Sequence, residues 1–248
     1  MLKIRDIEIG KGRPKICLPI TGINLDEIKE QAIHISKLNP DLVEWRVDFF
    51  ESLDIIPALE VIRNHIGHKP LIFTFRTINE GGQKQITDQE YLMINERAMM
   101  SGLIDLVDIE LKLPVVIRNP LIAKAKQQGI ATIISNHDFD KTPAQEEMIN
   151  RLREAELIGA SIAKLAVMPK NSHDVLSILT VTNKMKSMLK IPLVTMSMGG
   201  IGLMTRLSGE LFGSTITFGS AGQVSAPGQI DFTNLSTVLD IIHENITK

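Results

Sequence analysis

The sequence predicts an α/β fold: a (β/α)8 TIM barrel with a short extra β element at its N-terminus. Eight short β-branched runs alternate with eight stretches of helical period, which implies a parallel sheet with helical crossovers. The alternation fills 248 residues, the usual size of a closed eight-fold barrel. The main competitor, a doubly wound open sheet, carries a glycine-rich turn after its first strand, and TGIN (21–24) matches that turn poorly.

KIRDIEIG (3–10) is extra to the repeat and suits a small hairpin covering one end of the barrel. KICLPIT (15–21) is the first barrel strand and 25–38 its helix; LVEWRVD (42–48) and the helix at 54–66 follow. LIFTFRT (71–77), DLVDIEL (105–111) and IATIISNH (130–137) come next, each followed by a helix, at 88–101, 115–129 and 143–159. SIAKLAV (161–167), LVTMSM (193–198) and STITFG (214–219) complete the strands, with helices at 172–190, 200–211 and 231–246. The helix at 172–190 shows its period well: Val175, Ile178, Leu179, Thr182, Met185 and Leu189 fall on one stripe. Thr142-Pro143 and Asn171-Ser172 are helix-start signals. No long linker or low-complexity tract interrupts the pattern, so 1–248 reads as a single catalytic-size domain.

Composition excludes several classes of function. Lysine plus arginine total 27 against 29 for aspartate plus glutamate, a net charge of −2, which points away from nucleic acid or an anionic membrane as partner. Cys17 is the only cysteine, so no intrachain disulfide forms and a reducing compartment is expected. The opening MLKIRDIEIG lacks the apolar core of a signal peptide, and no segment has the length of a membrane span. A soluble, cytoplasmic protein is expected.

Lys164 stands inside SIAKLAVMP (161–169), surrounded by Ile162, Ala163, Leu165, Ala166 and Val167. Burying an ammonium is costly, so a lysine there tends toward the neutral amine, which attacks ketones to form Schiff bases. A lysine paired with a carboxylate, or one snorkelling outward, fits the segment as well. Strand alternation makes the other charges informative, because residues two apart share a face. In LVEWRVD, Val43, Trp45 and Val47 pack outward and leave Glu44, Arg46 and Asp48 pointing in; in LIFTFRT, Thr74 and Arg76 point in. Asp108 and Glu110 share a face, as do Ser135 and His137, and Met196 and Met198. Inward charges on four neighbouring strands make a costly core, but they suit a barrel mouth that holds a polar ligand. Asp108 and Glu110, taken singly, fit a supporting salt bridge equally well.

His137 differs from His34, His65, His68, His173 and His243 by ending an apolar strand one strand before Lys164. A neutral imidazole there suits proton abstraction beside an iminium. MGGIG (198–202) fits a phosphate-cradling turn or simply a flexible one. Arg206 is a candidate for gripping a carboxylate or, alternatively, a helix-surface arginine. GSAGQVSAPGQI (219–230), with Ser225 and Gln229, fits a lid over a ligand or a surface loop.

EWRVD (44–48), FTFRT with NEGG (73–82), SNHDF (135–139), KLAVMP (164–169), TMSMG (195–199), TRLSGELFGS (205–214), TFG (217–219) and SAPGQI (225–230) together resemble the type I 3-dehydroquinate dehydratases, or 3-dehydroquinases. The resemblance touches nearly every strand. Thr205 replaces the more usual serine, and Asn136 stands where the family often has a bulkier residue; neither change removes a functional group. The resemblance implies dehydration of 3-dehydroquinate to 3-dehydroshikimate in the shikimate route to aromatic compounds, without metal or organic cofactor. It implies Lys164 as Schiff-base lysine, His137 as acid–base and Glu80 as its tuning carboxylate. Arg206 is implied as the carboxylate binder. Glu44, Arg46 and Arg76 are implied at the ring hydroxyls with Asp48 in support, Ser225 and Gln229 on the lid, and Met196, Met198 and Phe218 as apolar wall. It also implies a homodimer. The rival readings are a class I aldolase-type barrel, a metal-dependent hydrolase using Glu44, Asp48, Glu110 and His137, and a non-catalytic binding barrel.

Overall fold

A computed structural model of the chain describes residues 1–222 and 225–246. Strands β1 (Leu2–Ile4) and β2 (Ile7–Ile9) form an antiparallel hairpin, the extra N-terminal element. The barrel strands are β3 (Lys15–Ile20), β4 (Leu42–Arg46), β5 (Leu71–Thr74), β6 (Leu106–Glu110), β7 (Ala131–Asp138), β8 (Ile162–Val167), β9 (Leu193–Ser197) and β10 (Ile216–Phe218). All eight run parallel in the order β10-β3-β4-β5-β6-β7-β8-β9. The circle closes where Leu193 bridges Ser214, just ahead of β10, and Thr215 N donates to Leu193 O at 2.9 Å. The crossovers are α1 (Leu25–Leu38), α2 (Ile56–Ile66), α3 (Asp88–Met100), α4 (Val115–Gln127), α5 (Gln145–Leu157), α6 (Ser172–Met188), α7 (Leu203–Leu207) and α8 (Gly209–Phe212), with α9 (Phe232–Ile246) last. This is the (β/α)8 barrel the alternation predicts. Among the described residues no helix is long and apolar enough to cross a membrane.

Alternation sorts the apolar side chains into two cores. Val43, Trp45, Val47, Leu71, Phe73 and Phe75 join the layer between sheet and helices. Cys17, Leu42, Ile72, Leu106 and Ile162 fill the barrel near the amino ends of their strands, and Leu2, Ile4, Ile7 and Ile9 of the hairpin pack on them. The hairpin therefore plugs the amino-terminal end. Toward the carboxyl ends the same inner faces carry Glu44, Arg46, Asp108, Glu110 and Lys164, all buried. The interior is apolar below and ionic above, which confines polar chemistry to one end.

Three local expectations shift. The strand over 42–48 stops at Arg46, because Val47–Phe49 turns as a 3-10 helix. In that turn Asp48 accepts two 2.8 Å bonds from Arg46, and bonds from Arg76 N at 3.4 Å and Gln83 N at 3.1 Å. Asp48 thus fastens the loop after β5, although it lies beyond the strand. The helix over 200–211 breaks at Ser208, whose hydroxyl returns to Met204 O at 2.6 Å. Thr142 does not cap α5; its hydroxyl donates to Met168 O at 3.1 Å and ties two loops together. Asn171 does cap α6, accepting from Asp174 N at 3.2 Å.

Trp45 anchors β4 from outside, fully buried and edge-on to Phe50 and Phe73 at 5.7 Å each. Trp45→Ala should lower stability by about 3–5 kcal/mol in urea unfolding with an unchanged m-value, and a loss under about 1 kcal/mol would contradict this packing.

Candidate active site

Strands β7 and β8 pair Ser135 with Lys164 and His137 with Ala166. Lys164 and His137 therefore share the inner face, with His137 one inward step nearer the mouth. Both line one chamber, walled also by Glu44, Arg46, Arg206 and Phe218. Lys164 is buried, and its Nζ donates to Asp108 Oδ2 at 3.2 Å, lies 3.7 Å from Glu44 Oε1 and sits 4.4 Å above the Phe218 ring. Of the alternatives the sequence left open, the lysine is both buried and paired.

The carboxylates around it are organised by Arg76, just past the end of β5. Its guanidinium reaches Asp108 at 2.9 Å, Glu110 at 3.0 Å and Glu80 at 3.7 Å, and donates to Ser135 Oγ at 2.9 Å. Arg76 also lines the chamber, so it orders these carboxylates from a position at the edge of the site. Glu110 also accepts from Thr77 N at 2.8 Å and Thr77 Oγ1 at 2.6 Å, so it and Asp108 are the supporting salt bridges that the sequence allowed. Burial pushes the Asp108 carboxyl upward, but Arg76, Lys164 and the hydrogen bond from Ser135 outweigh it and hold the group below the usual aspartate value.

Glu80 meets His137 across the mouth. Its Oε2 accepts from His137 N at 2.9 Å and lies 2.9 Å from Nδ1, while Oε1 accepts from Asn136 Nδ2 at 2.8 Å. The turn that brings it there requires both glycines of NEGG. Gly81 has φ of +85°, and a Cβ on it would stand 2.4 Å from the Phe139 ring; a Cβ on Gly82 would stand 1.9 Å from Arg76 O. Burial, then the charge of Glu110, pushes Glu80 above its usual value, against the lowering effects of Arg76 and the Asn136 bond. Burial, then the positive charges of Arg76, Lys164 and Arg46, holds His137 well below its usual value. The imidazole is thus kept neutral, the form that can accept a proton.

Arg206 on α7 is buried rather than displayed on a helix surface. Nη2 donates to Pro227 O at 2.9 Å, and Nη1 contacts Phe218 O at 3.5 Å and Met196 Sδ at 3.7 Å. Among the described residues no carboxylate pairs with it, and Nε has no hydrogen-bond partner. Burial lowers its value to about 10. An unpaired buried guanidinium facing a chamber is a receptor for an anion. Thr205 beside it accepts from Ser197 N at 2.9 Å and donates to Gly202 O at 2.7 Å, pinning the start of the helix to the end of β9.

The loop at 219–230 includes Gln223 and Val224, which lie outside the described residues. Its described part closes over the chamber. Ser225 N donates to Gln229 Oε1 at 2.8 Å and Gln229 Nε2 to Ser225 Oγ at 3.0 Å, so these two side chains brace each other. Arg46 Nη1 donates to Ser225 O at 3.0 Å, and Gly199 N to Pro227 O at 3.1 Å. The MGGIG turn thus serves as a dock for this loop. Met196, Met198 and Phe218 supply apolar wall, joined by Phe139, which the sequence reading passed over although SNHDF contains it. Asn136, noted in the sequence only as a departure from the family pattern, donates to Glu80, and Arg151, which no sequence signal marks, donates to Asn136. Among the described residues no three His, Cys, Asp or Glu side chains are grouped to hold a metal ion.

Comparison with known proteins agrees with this geometry. The family model described as type I 3-dehydroquinase matches residues 16–246. A 3-dehydroquinate dehydratase of Bacillus licheniformis is 45% identical over 251 residues, covering 99% of each chain. One from Clostridioides difficile is 44% identical over 250 residues, covering 99% of this chain and 98% of its own. Among solved structures, the type I 3-dehydroquinate dehydratase of Clostridium difficile with covalent modified comenic acid superposes with a TM-score of 0.95 at 43% identity, covering 98% of both chains. The 3-dehydroquinate dehydratase of Geobacillus kaustophilus superposes with a TM-score of 0.95 at 40% identity, covering 98% of this chain and 96% of that one. The chain belongs to the type I 3-dehydroquinases, the enzymes also called 3-dehydroquinate dehydratases.

Proposed function

We propose that this chain dehydrates 3-dehydroquinate to 3-dehydroshikimate through a Schiff base on Lys164, with His137 as acid–base group, in the shikimate pathway. The observation that carries the reading is a single chamber holding a buried lysine, a neutral imidazole and an arginine without a carboxylate partner. The covalently modified small acid in the Clostridium difficile relative supports a covalent step. The reading takes 1–248 as one catalytic domain of a cytoplasmic homodimer and asks for no cofactor.

Arg206 takes the substrate carboxylate, which fixes C1 at one end of the chamber. Lys164 gives up its ammonium proton to a neighbouring carboxylate, Asp108 at 3.2 Å or Glu44 at 3.7 Å, and attacks the C3 carbonyl. The same carboxyl returns that proton to the carbinolamine hydroxyl, which leaves as water and gives an iminium beside ionised carboxylates. Its positive charge inherits the surroundings of the ammonium, between two carboxylates and over the Phe218 ring, so the ion pair that restrains the free amine stabilises the electron sink. His137 Nε2 removes a C2 proton, and the electron pair moves onto the nitrogen. The enamine expels the C1 hydroxyl, which leaves as water with the proton from His137. Water then hydrolyses the imine and returns the amine. Glu44 and Arg46 border the ring. Ser225 and Gln229 close above it, while Met196, Met198 and Phe218 exclude bulk water.

Borohydride added during turnover should leave a reduced adduct on the peptide holding Lys164, absent in Lys164→Ala; an adduct on another residue would overturn the nucleophile. His137→Ala should lose about 10²–10⁴-fold in kcat while still forming a trappable imine, and near-native turnover would remove it as the base. Arg206→Ala should raise KM by about 10–100-fold with a smaller effect on kcat, and an unchanged KM would place the carboxylate elsewhere.

A further inference from the structure

The Glu80–His137 contact has a weakness. A Glu80 carboxylate accepts the Nδ1 proton of His137 and leaves Nε2 bare toward the chamber. A protonated Glu80 can instead donate to Nδ1, which puts the ring proton on Nε2 and disables the base. Burial and the nearby charge of Glu110 both favour the protonated acid. Something must keep Glu80 an acceptor at both oxygens.

At Oε2 the donor is the His137 backbone N–H, 2.9 Å away. At Oε1 it is the side-chain amide of Asn136, 2.8 Å away. An amide can present either its oxygen or its nitrogen, so its direction needs a cause. Arg151 on α5 supplies one. Its Nη1 donates at 2.7 Å to the other end of the Asn136 amide. A guanidinium has no acceptor, so that end must be the oxygen, and the NH2 must face Glu80. Asn136 lies between two inward residues of β7, so it points outward into the layer between sheet and helices, fully buried. An apolar side chain would fill that place at less desolvation cost. Arg151 is itself aimed by Glu147 on its own helix and by Asp138 Oδ2 at 3.4 Å.

We propose that Arg151, acting through Asn136, is a positioning residue that holds Glu80 as a hydrogen-bond acceptor and so fixes the base-competent tautomer of His137. The proposal rests on the reading of His137 as the base. Directional partners run from an outer helix to the chamber: Arg151 orients Asn136, Asn136 donates to Glu80, and Glu80 accepts from His137. Arg151 touches no reacting atom. The charged groups facing this chain are Arg76, Glu110 and Asp108 around Glu80, and Arg76, Lys164 and Arg46 around His137. Asp138 and Glu147 face Arg151.

The sign of the pH effect follows. Without Arg151 the Asn136 amide can turn its oxygen to Glu80, which favours the acid. Without the amide, Oε1 loses its donor. Either change lets Glu80 keep its proton to higher pH, so the acid limb of kcat moves in the alkaline direction. Arg151→Met and Asn136→Leu should each lower kcat at neutral pH by about 10-fold with KM within about 2-fold, move the acid limb up by about one pH unit and recover activity above it. Arg151→Lys, which keeps a cationic donor, should restore most of the loss. Nitrogen-15 NMR of histidine-labelled free enzyme should show His137 protonated at Nδ1 in the native chain and a shift toward the Nε2 form in Arg151→Met. A native Nδ1 signature in Arg151→Met, or a loss of kcat with an unmoved acid limb, would overturn the proposal. If Asn136→Leu fails to fold, Arg151→Met carries the test, because Arg151 is a part-buried residue of the outer helix α5. The tautomer is read without substrate, so this result is separable from a failure of the Schiff base, which would appear as a missing adduct at Lys164.

Discussion

The Arg76 guanidinium is the interaction on which the rest of the site depends. It is buried at the end of β5 with Asp108, Glu110 and Glu80 around it. Four carboxylates, these three and Glu44, would otherwise crowd around one lysine, because Arg46 is paired with Asp48 and Arg206 meets none of the four. Buried like charges relieve themselves by taking up protons. A protonated Asp108 would be a poor counter-charge for Lys164 or for any cation formed on it. Arg76 keeps Asp108 ionised and at the same time helps to keep His137 neutral. One cation thus allows an ionised carboxylate beside the nucleophile and an uncharged imidazole one step above it.

The barrel makes this arrangement affordable by separating its chemistry from its stability. Below Lys164 the interior is closed by aliphatic side chains and by the N-terminal hairpin. Outside, Trp45, Phe73 and Phe75 hold β4 and β5 against the helices while Glu44 and Arg46 face inward. The strands are therefore fixed by packing on one face and free to carry charge on the other. Loops complete the top: the glycine pair after Glu80 allows the turn that meets His137, and Arg46 and Arg206 donate to the backbone of the closing loop at Ser225 and Pro227.

Much of this was legible from residue order. β/α alternation gave the barrel, and period two gave the inward faces, since both follow from local sterics. Lys164 and His137 stood out because a charged or titratable residue in an apolar strand has few inexpensive explanations. What period two cannot give is the partner. Whether Lys164 meets a carboxylate depends on β6 lying two strands away, and the commitment of Arg76 to Glu110 depends on side-chain reach across the mouth. The strand over 42–48 ended early because Asp48 bonds a loop 35 residues on. Glu80 came from family resemblance alone, its turn having no period to read. Arg151 lies on a helix whose sequence is that of an ordinary surface, and only the direction of one amide gives it meaning.

The central claim is that Lys164 and His137 act on one small molecule in one chamber. A crystal structure of the protein reduced with borohydride in the presence of 3-dehydroquinate tests it most directly. The account predicts continuous density from Lys164 Nζ to C3, with C2 beneath His137 Nε2 and the carboxylate on Arg206. Density placing C2 away from the imidazole, or a ligand bound at full occupancy without a bond to Lys164, would contradict it.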